Sequence, residues 1–287
     1  MDILGKRKIW YRISIIILLI GILFLAVRGL NFGIDFQGGT LIEVKLDKSV
    51  GNEDVRDVLK EINVAVDSKI QQTEEQSIEG VIIRAKELNS EEILKIEEGL
   101  KASYPSAEML RTEMVGPVIG EELQTKALLA LLFASIAIVI YISIRFEFRF
   151  AIVAIIALLH DVFITLGIFA IMGKEINTPF VAALLTIIGY SINDTIVIFD
   201  RIRENMKLMR KTSFIELANK AVVDTLPRSI NTSLTTLITI LAIYLFGGAS
   251  IKTFMLALFI GMLAGTYSSI FVASPLLVSW QKRGLSS

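Results

Sequence analysis

"GYSINDTIVIFDRIREN" (189–205) sets Asn193 and Asp194 inside an apolar run and then breaks into charge at Asp200. Whether water or hydrocarbon surrounds that carboxylate decides the fold, and composition answers the question. The 287 residues are 53% hydrophobic, with a mean hydropathy of +0.64, above the usual range for a soluble domain of this length. The chain reads as an α-helical polytopic membrane protein. Its 29 Lys+Arg balance 29 Asp+Glu, so charge implies no nucleic-acid partner. The absence of cysteine excludes disulfides and thiolate metal sites, and a single histidine excludes a His-rich one. No metal or cofactor is expected.

Six segments reach the ~20 apolar residues that a bilayer-crossing helix needs: 12–30, 126–144, 150–172, 180–199, 229–247 and 253–278. The first follows Lys6, Arg7, Lys8 and Arg12 as a signal peptide would. Its apolar run is long and no small-residue cleavage site follows, so it reads as a retained anchor. In the short loops, fifteen Lys and Arg gather on one side and only Lys174 and Lys252 on the other. By the positive-inside rule both termini are cytoplasmic and 31–125 is external. The expected organisation is a cytoplasmic N-terminus (1–11), a first span (12–30), an external domain with Gly-rich junctions (31–125), five further spans (126–278) and a cytoplasmic C-terminus (279–287).

The external segment carries twenty Asp/Glu against ten Lys/Arg, a composition for water. "TLIEVKL" (40–46) alternates like a strand, and "NEDVRDVLKEI" (52–62) has helical spacing after an N-cap at Asn52. "VAVDSKIQQ" (64–72) and "GVIIRAK" (80–86) suit strands, "NSEEILKIEEGLKASY" (89–104) a capped helix, and "AEMLRTEMV" (107–115) a last strand. The order β-α-β-β-α-β predicts a ferredoxin-like α+β domain. "NFGIDFQGGT" (31–40) and "VGPVIGEEL" (115–123) flank it. Gly33, Asp35, Gly38 and Gly39 in the first, and Gly116 and Pro117 in the second, read as junctions that let the domain tilt, not as a phosphate or metal site.

Within the spans, Thr232, Thr235, Thr236 and Thr239 fall on one side of the fifth, extended by Arg228 at i−4 from Thr232. "GMLAGTYSS" puts Gly261 and Gly265 on a face that admits close helix approach. His160 and Asp161 sit midway along the third span. A bundle with a polar interior is expected. Asp194 lies about six residues, roughly 9 Å, inside the fourth span, too deep to snorkel. An ionised acid there costs about 2.5–3.5 kcal/mol on insertion scales, so it is paired, protonated or functional. Two readings follow: a proton-carrying site that changes partner during a cycle, or a static clasp to a neighbouring helix. Arg228 is the nearest candidate counter-charge, and also serves the positive-inside pattern. His160, Asp161, Asn193, Thr232 and Thr236 form a secondary polar seam, for which hydrogen bonding between helices is the plainer role. Asp200, Arg201, Arg203 and Glu204 read as a solvated cap. No nucleophile elbow, Walker lysine or HExxH motif is present, so the chain is not expected to be an enzyme.

Taken in order, "FGIDFQGGT", "VGPVIGEEL", "HD" in the third span, "GYSINDTIVIFDRIREN" and "RSINTSLTT" resemble the SecF family of the bacterial Sec protein-export machinery, over nearly the whole chain. The resemblance implies a six-helix partner, SecD, completing a pseudo-symmetric twelve-helix unit of the resistance-nodulation-division superfamily. The chain stops soon after Lys282 and Arg283, so SecD is expected as a separate polypeptide. The resemblance also implies association with SecYEG, YajC and YidC, with SecA indirectly, and with unfolded preprotein at the external domain, all at the bacterial cytoplasmic membrane. It matches Asp194 and Arg228 to the family's proton-transfer residues. A scaffold that only stabilises the channel, and a small-molecule exporter of the same superfamily, are the alternatives. About 95 compact acidic residues leave the latter little room for a ligand cleft.

Overall fold

The computed structural model of the chain describes residues 1–46, 50–64, 69–75, 78–209 and 211–284. In order the elements are α1 (Arg7–Arg28), β1 (Asn31–Phe32), α2 (Ile34–Gln37), β2 (Gly39–Lys45), α3 (Asn52–Glu61), β3 (Lys69–Glu75), β4 (Ile78–Ala85), α4 (Ser90–Ser103), β5 (Glu108–Val115), α5 (Pro117–Arg145), α6 (Phe148–Met172), β6 (Glu175–Ile176), α7 (Thr178–Leu208), α8 (Phe214–Phe246) and α9 (Ala249–Ser268). A π-turn (Ser269–Ala273) joins α9 to α10 (Ser274–Gly284). They form two compact units, Phe32–Leu128 and a second of Met1–Asn31 with Leu129–Ser287.

The smaller unit is a four-stranded antiparallel sheet in the order β3-β4-β2-β5. Apolar residues at helical spacing in α3 (Val55, Val58, Leu59) and α4 (Ile96, Leu100) bury against Ile42, Val44, Val81 and Ile83 of the central strands. Each such side chain contributes on the order of 1.5–3 kcal/mol of burial. The start of α4 is the expected cap: Asn89 Oδ1 accepts from Glu92 N at 2.9 Å and Glu92 Oε2 from Asn89 N at 2.8 Å. At α3 the cap is one residue earlier than expected. Gly51 takes that position because Asp54 Oδ2 returns to accept its N–H at 2.6 Å. The strand expected at 64–72 begins at Lys69, and 65–68 lie outside the described residues.

The two Gly-rich segments of this unit meet. Gly38 has φ +73°, and a Cβ there would lie 2.9 Å from Pro117 Cα. A Cβ on Gly120 would lie 3.0 Å from Gly38 N and 3.2 Å from Phe36 O. Gly39, at φ +123°, opens β2 against Ala85 O. Gly33 caps α2, on which Asp35 is half-buried, and Gly116 precedes Pro117, the first residue of α5. Residues 117–123, read from sequence as part of a junction, are therefore helix, with proline at a position that needs no N–H. Gly38→Val combines a left-handed φ with a backbone clash and is expected to destabilise this unit by about 2–3 kcal/mol. The check is a lower thermal midpoint and faster limited proteolysis of the purified full chain. Wild-type values for both would contradict the close packing.

Six helices of the described residues are long and apolar enough to cross a membrane: α1, α5, α6, α7, α8 and the α9–α10 run from Ile251 to Gln281. Their apolar core is aromatic near one end, with Phe150 edge-on to Phe199 at 5.1 Å. Small residues set the closest approaches. A Cβ on Gly265 would sit 2.9 Å from Ser191 Cβ, and one on Gly261 would overlap Ile187. Helix continues beyond the apolar windows: α7 runs nine residues past Phe199, and α8 begins fifteen before Ser229. The charged stretch between them is mostly strong helix formers. Arg201 bridges it, reaching Asp224 at 2.7 Å and Glu204 at 2.8 Å. Arg210, counted in the basic loop, and 285–287 lie outside the described residues. The π-turn precedes Pro275, which has no N–H to give the carbonyl four residues back, and within the turn Ser274 Oγ donates to Ser269 O at 3.0 Å.

Candidate functional site: two buried acids in the helix bundle

Two carboxylates are buried in the bundle, and they are served very differently. Asp161, midway along α6, is 1% exposed. Ser191 of α7 donates to its Oδ2 at 2.6 Å and Ser268 of α9 donates to the same oxygen at 2.7 Å. His160 Nδ1 lies 3.0 Å from Oδ1. As a carboxylate, Asp161 thus takes three donors from three helices. Its neighbours continue the seam: Thr195 Oγ1 and Ser269 Oγ are 2.9 Å apart, and Ser269 Oγ donates to Gly265 O at 2.9 Å. His160 is 4% exposed, stacks on Tyr267 at 6.1 Å between centroids, and keeps Nε2 buried without a hydrogen-bond partner.

Asp194, the seventeenth residue of α7, is 4% exposed. Its contact is Ser233 Oγ of α8, donating to Oδ2 at 3.5 Å, the outer limit of a hydrogen bond. Ser233 is itself engaged, accepting from Thr266 Oγ1 of α9 at 2.7 Å and from Tyr190 OH at 3.4 Å. Among the described residues no cation comes within 4 Å of Asp194. Arg228 is exposed, and its charge reaches Asp194 only through space. A carboxylate with four acceptor positions and one weak donor is under-served, whereas Asp161 is nearly saturated.

Other expectations are redistributed. The threonine stripe does not face Asp194. Thr232, Thr235 and Thr239 are exposed and Thr236 is half-buried, and each hydroxyl donates to the carbonyl four residues back at 2.9–3.0 Å. A threonine satisfied by its own helix needs no neighbour, so helical spacing alone does not orient the stripe. Asn193 is also exposed. The hydroxyls that matter, Ser191, Ser233, Ser268 and Thr266, come from three helices. Thr266 and Ser268 stand in the small-residue run "GTYSS", and Ser191 and Ser233 stand inside "GYSINDT" and "RSINTSLTT", where nothing in the spacing marked them as partners of an acid.

A GG motif common to SecD and SecF matches residues 23–50, and the family described as "Protein export membrane protein SecD/SecF, C-terminal" matches residues 95–283. The chain belongs to the SecD/SecF family. The GG motif spans Gly38 and Gly39, the two positive-φ glycines at the mouth of β2. The SecF subunit of the protein translocase of Thermobaculum terrenum is 44% identical over 99% of this chain and 95% of its own length. The SecDF subunit of Thermus thermophilus is 42% identical over 92% of this chain but only 36% of its own length. The crystal structure of SecDF from that organism matches with a TM-score of 0.91 at 38% identity, covering 99% of this chain and 39% of the solved one. SecDF in a "Super-membrane-facing form" matches with a TM-score of 0.74. Six apolar helices and this family membership make the chain a multi-pass membrane protein.

Proposed function

We propose that the chain works in Sec-dependent protein export as the partner of a SecD subunit, using the proton gradient through Asp194 to promote late, ATP-independent steps of preprotein translocation. One observation carries the reading: Asp194 is buried within a membrane span with one weak hydroxyl contact among the described residues. A buried acid held for structure gathers donors, as Asp161 does. One held loosely changes partner at little cost, which a proton carrier needs. Arg228, on the next span, is the charge toward which a deprotonated Asp194 turns. Each proton descending 100 mV supplies about 2.3 kcal/mol.

The polar side chains of Asn193 and Arg228 lie on the exposed surface of membrane spans. Lipid covers such a surface poorly and a second helical subunit covers it well. SecD is that subunit, as the fused SecDF relatives support. We take Phe32–Leu128 as a ferredoxin-like domain; its β-α-β-β-α-β order and strand order support this. The Lys/Arg bias supports placing it outside, with both termini in the cytoplasm. There it meets emerging preprotein, and the Gly33–Gly39 and Gly116–Pro117 segments let it move. That solved SecDF chains match with TM-scores of 0.91 and 0.74 at the same 38% identity supports more than one shape in the family. SecYEG, YajC, YidC and, indirectly, SecA complete the assembly. No cofactor and no catalysed reaction are assigned.

The test uses sealed vesicles holding the chain with SecD and SecYEG. Export of a preprotein trapped midway is expected to speed up when a proton gradient is imposed, and an uncoupler is expected to abolish that increment. If the chain speeds export equally with the gradient collapsed, it is a scaffold.

A further inference from the structure

α1 and α6 touch through glycine. A Cβ on Gly167 would come within 2.7 Å of Gly21 Cα, a contact of backbone with backbone. Toward the N-terminal ends of both helices, α1 is tied to the last span instead. Tyr267 OH donates to Trp10 O at 3.3 Å and lies 3.1 Å from Ser14 Oγ, while Tyr11 OH lies 3.0 Å from Ser279 Oγ. Between these fixed points lies a cavity of about 480 Å³. Ile15 and Leu18 of α1 form one wall, Ile156 and Leu159 of α6 the other, and Val272 and Leu276 the floor. Ile15, Ile156 and Leu159 are exposed.

The stripes that form the walls both end in a cation. Lys8 stands seven residues before Ile15 and Arg149 seven before Ile156, two helical turns along the same face in each case. Lys8 is exposed. Arg149 is half-buried and donates from Nη1 to the neutral Gln281 Oε1 at 2.9 Å. Neither makes an ion pair with another described residue within 4 Å. The two wall-forming stripes thus lead, two turns beyond Ile15 and Ile156, to positive charges that have no counter-charge within 4 Å among the described residues.

We propose that this channel binds an anionic phospholipid, with an acyl chain between α1 and α6 and the phosphate at Lys8 and Arg149. Size selects the chain over a partner helix. A cavity of about 480 Å³ between α1, α6 and the last span has room for an acyl chain, whereas a helix is about 10 Å across and needs a longer open face. Charge selects the headgroup, because basic positions between spans at the membrane edge favour anionic lipid over zwitterionic lipid. Neither Asp194 nor its partner Ser233 lines the cavity, and the site does not depend on the coupling proposed above.

Native mass spectrometry of the full chain, purified in detergent and offered phosphatidylglycerol or phosphatidylcholine of the same acyl composition, tests it. The wild type is expected to retain phosphatidylglycerol preferentially. Lys8→Gln, at an exposed site that folding does not need, is expected to cut that preference about fivefold, and Arg149→Gln by a similar factor. Ile156→Trp, which fills the channel from an exposed position, is expected to displace both lipids while the chain elutes as folded protein. Equal retention of the two lipids by the wild type overturns the proposal, as does phosphatidylglycerol binding that survives Ile156→Trp. So does a photo-crosslinker at Leu159 that captures protein in membranes and no lipid.

Discussion

Asp194→Asn is expected to leave the protein folded, inserted and associated with SecD while removing the gradient-dependent part of export, a loss of tenfold or more in that component. The substitution keeps shape and still accepts from Ser233 Oγ, the single weak donor that Asp194 has among the described residues. It also removes the ionisable group there, and with it the about 2.5–3.5 kcal/mol cost of holding a charge within the span. Stability is therefore expected to stay level or rise slightly, so any loss of export is not a loss of protein. The measurement is paired: thermal midpoint and SecD co-purification on one side, export with and without an imposed gradient on the other. If gradient-driven export persists at the wild-type rate in an intact complex, Asp194 carries no proton.

Asp161→Ala is expected to do the reverse, with the primary damage in folding. Three donors, from Ser191, Ser268 and His160, lose their acceptor at once in a place that water does not reach. Each stranded donor costs about 1–3 kcal/mol. Breaking a buried charged cluster from one side typically costs 3–5 kcal/mol in all. Relaxation of the serines toward their own helix carbonyls recovers part of this, since Ser268 Oγ already lies 3.2 Å from Gly265 O. The expected readouts are a thermal midpoint lowered by several degrees and reduced accumulation in the membrane. Export per folded molecule should stay near wild type. A protein that melts like wild type yet fails to export would move Asp161 from the clasp to the proton path.

The contrast between these acids was not available from the sequence. Both are single carboxylates in apolar runs, and "LLHDVF" looks if anything more chemical than "SINDTI". What separates them is which hydroxyls arrive from other helices, and those residues stand 30 and 107 positions from Asp161 and 39 from Asp194. Helix rotation and axial register decide such meetings. They follow from packing at contacts such as Gly265 on Ser191 and Gly21 on Gly167, which periodicity within one helix does not encode. The threonine stripe makes the same point. Four threonines on one side of α8 have the same spacing whether they face inward or outward, and bonds to their own carbonyls remove the penalty that would otherwise tell the two apart.

The sequence by itself determined what depends on local composition. Hydrocarbon thickness set the six apolar segments, alternation and capping set the strands and helices of the acidic segment, and "GG" marked where the backbone turns left-handed. It left the ends of α7 and α8 open, because a charged run of good helix formers reads as a loop next to a membrane yet propagates a helix already nucleated within it. The tertiary structure alone decided which acid is saturated and which is loosely held, that the two Gly-rich segments close on each other, and that an apolar channel lies between α1 and α6. Each of these is a relation between residues far apart in the chain, set by how helices and strands pack rather than by what any one of them is made of.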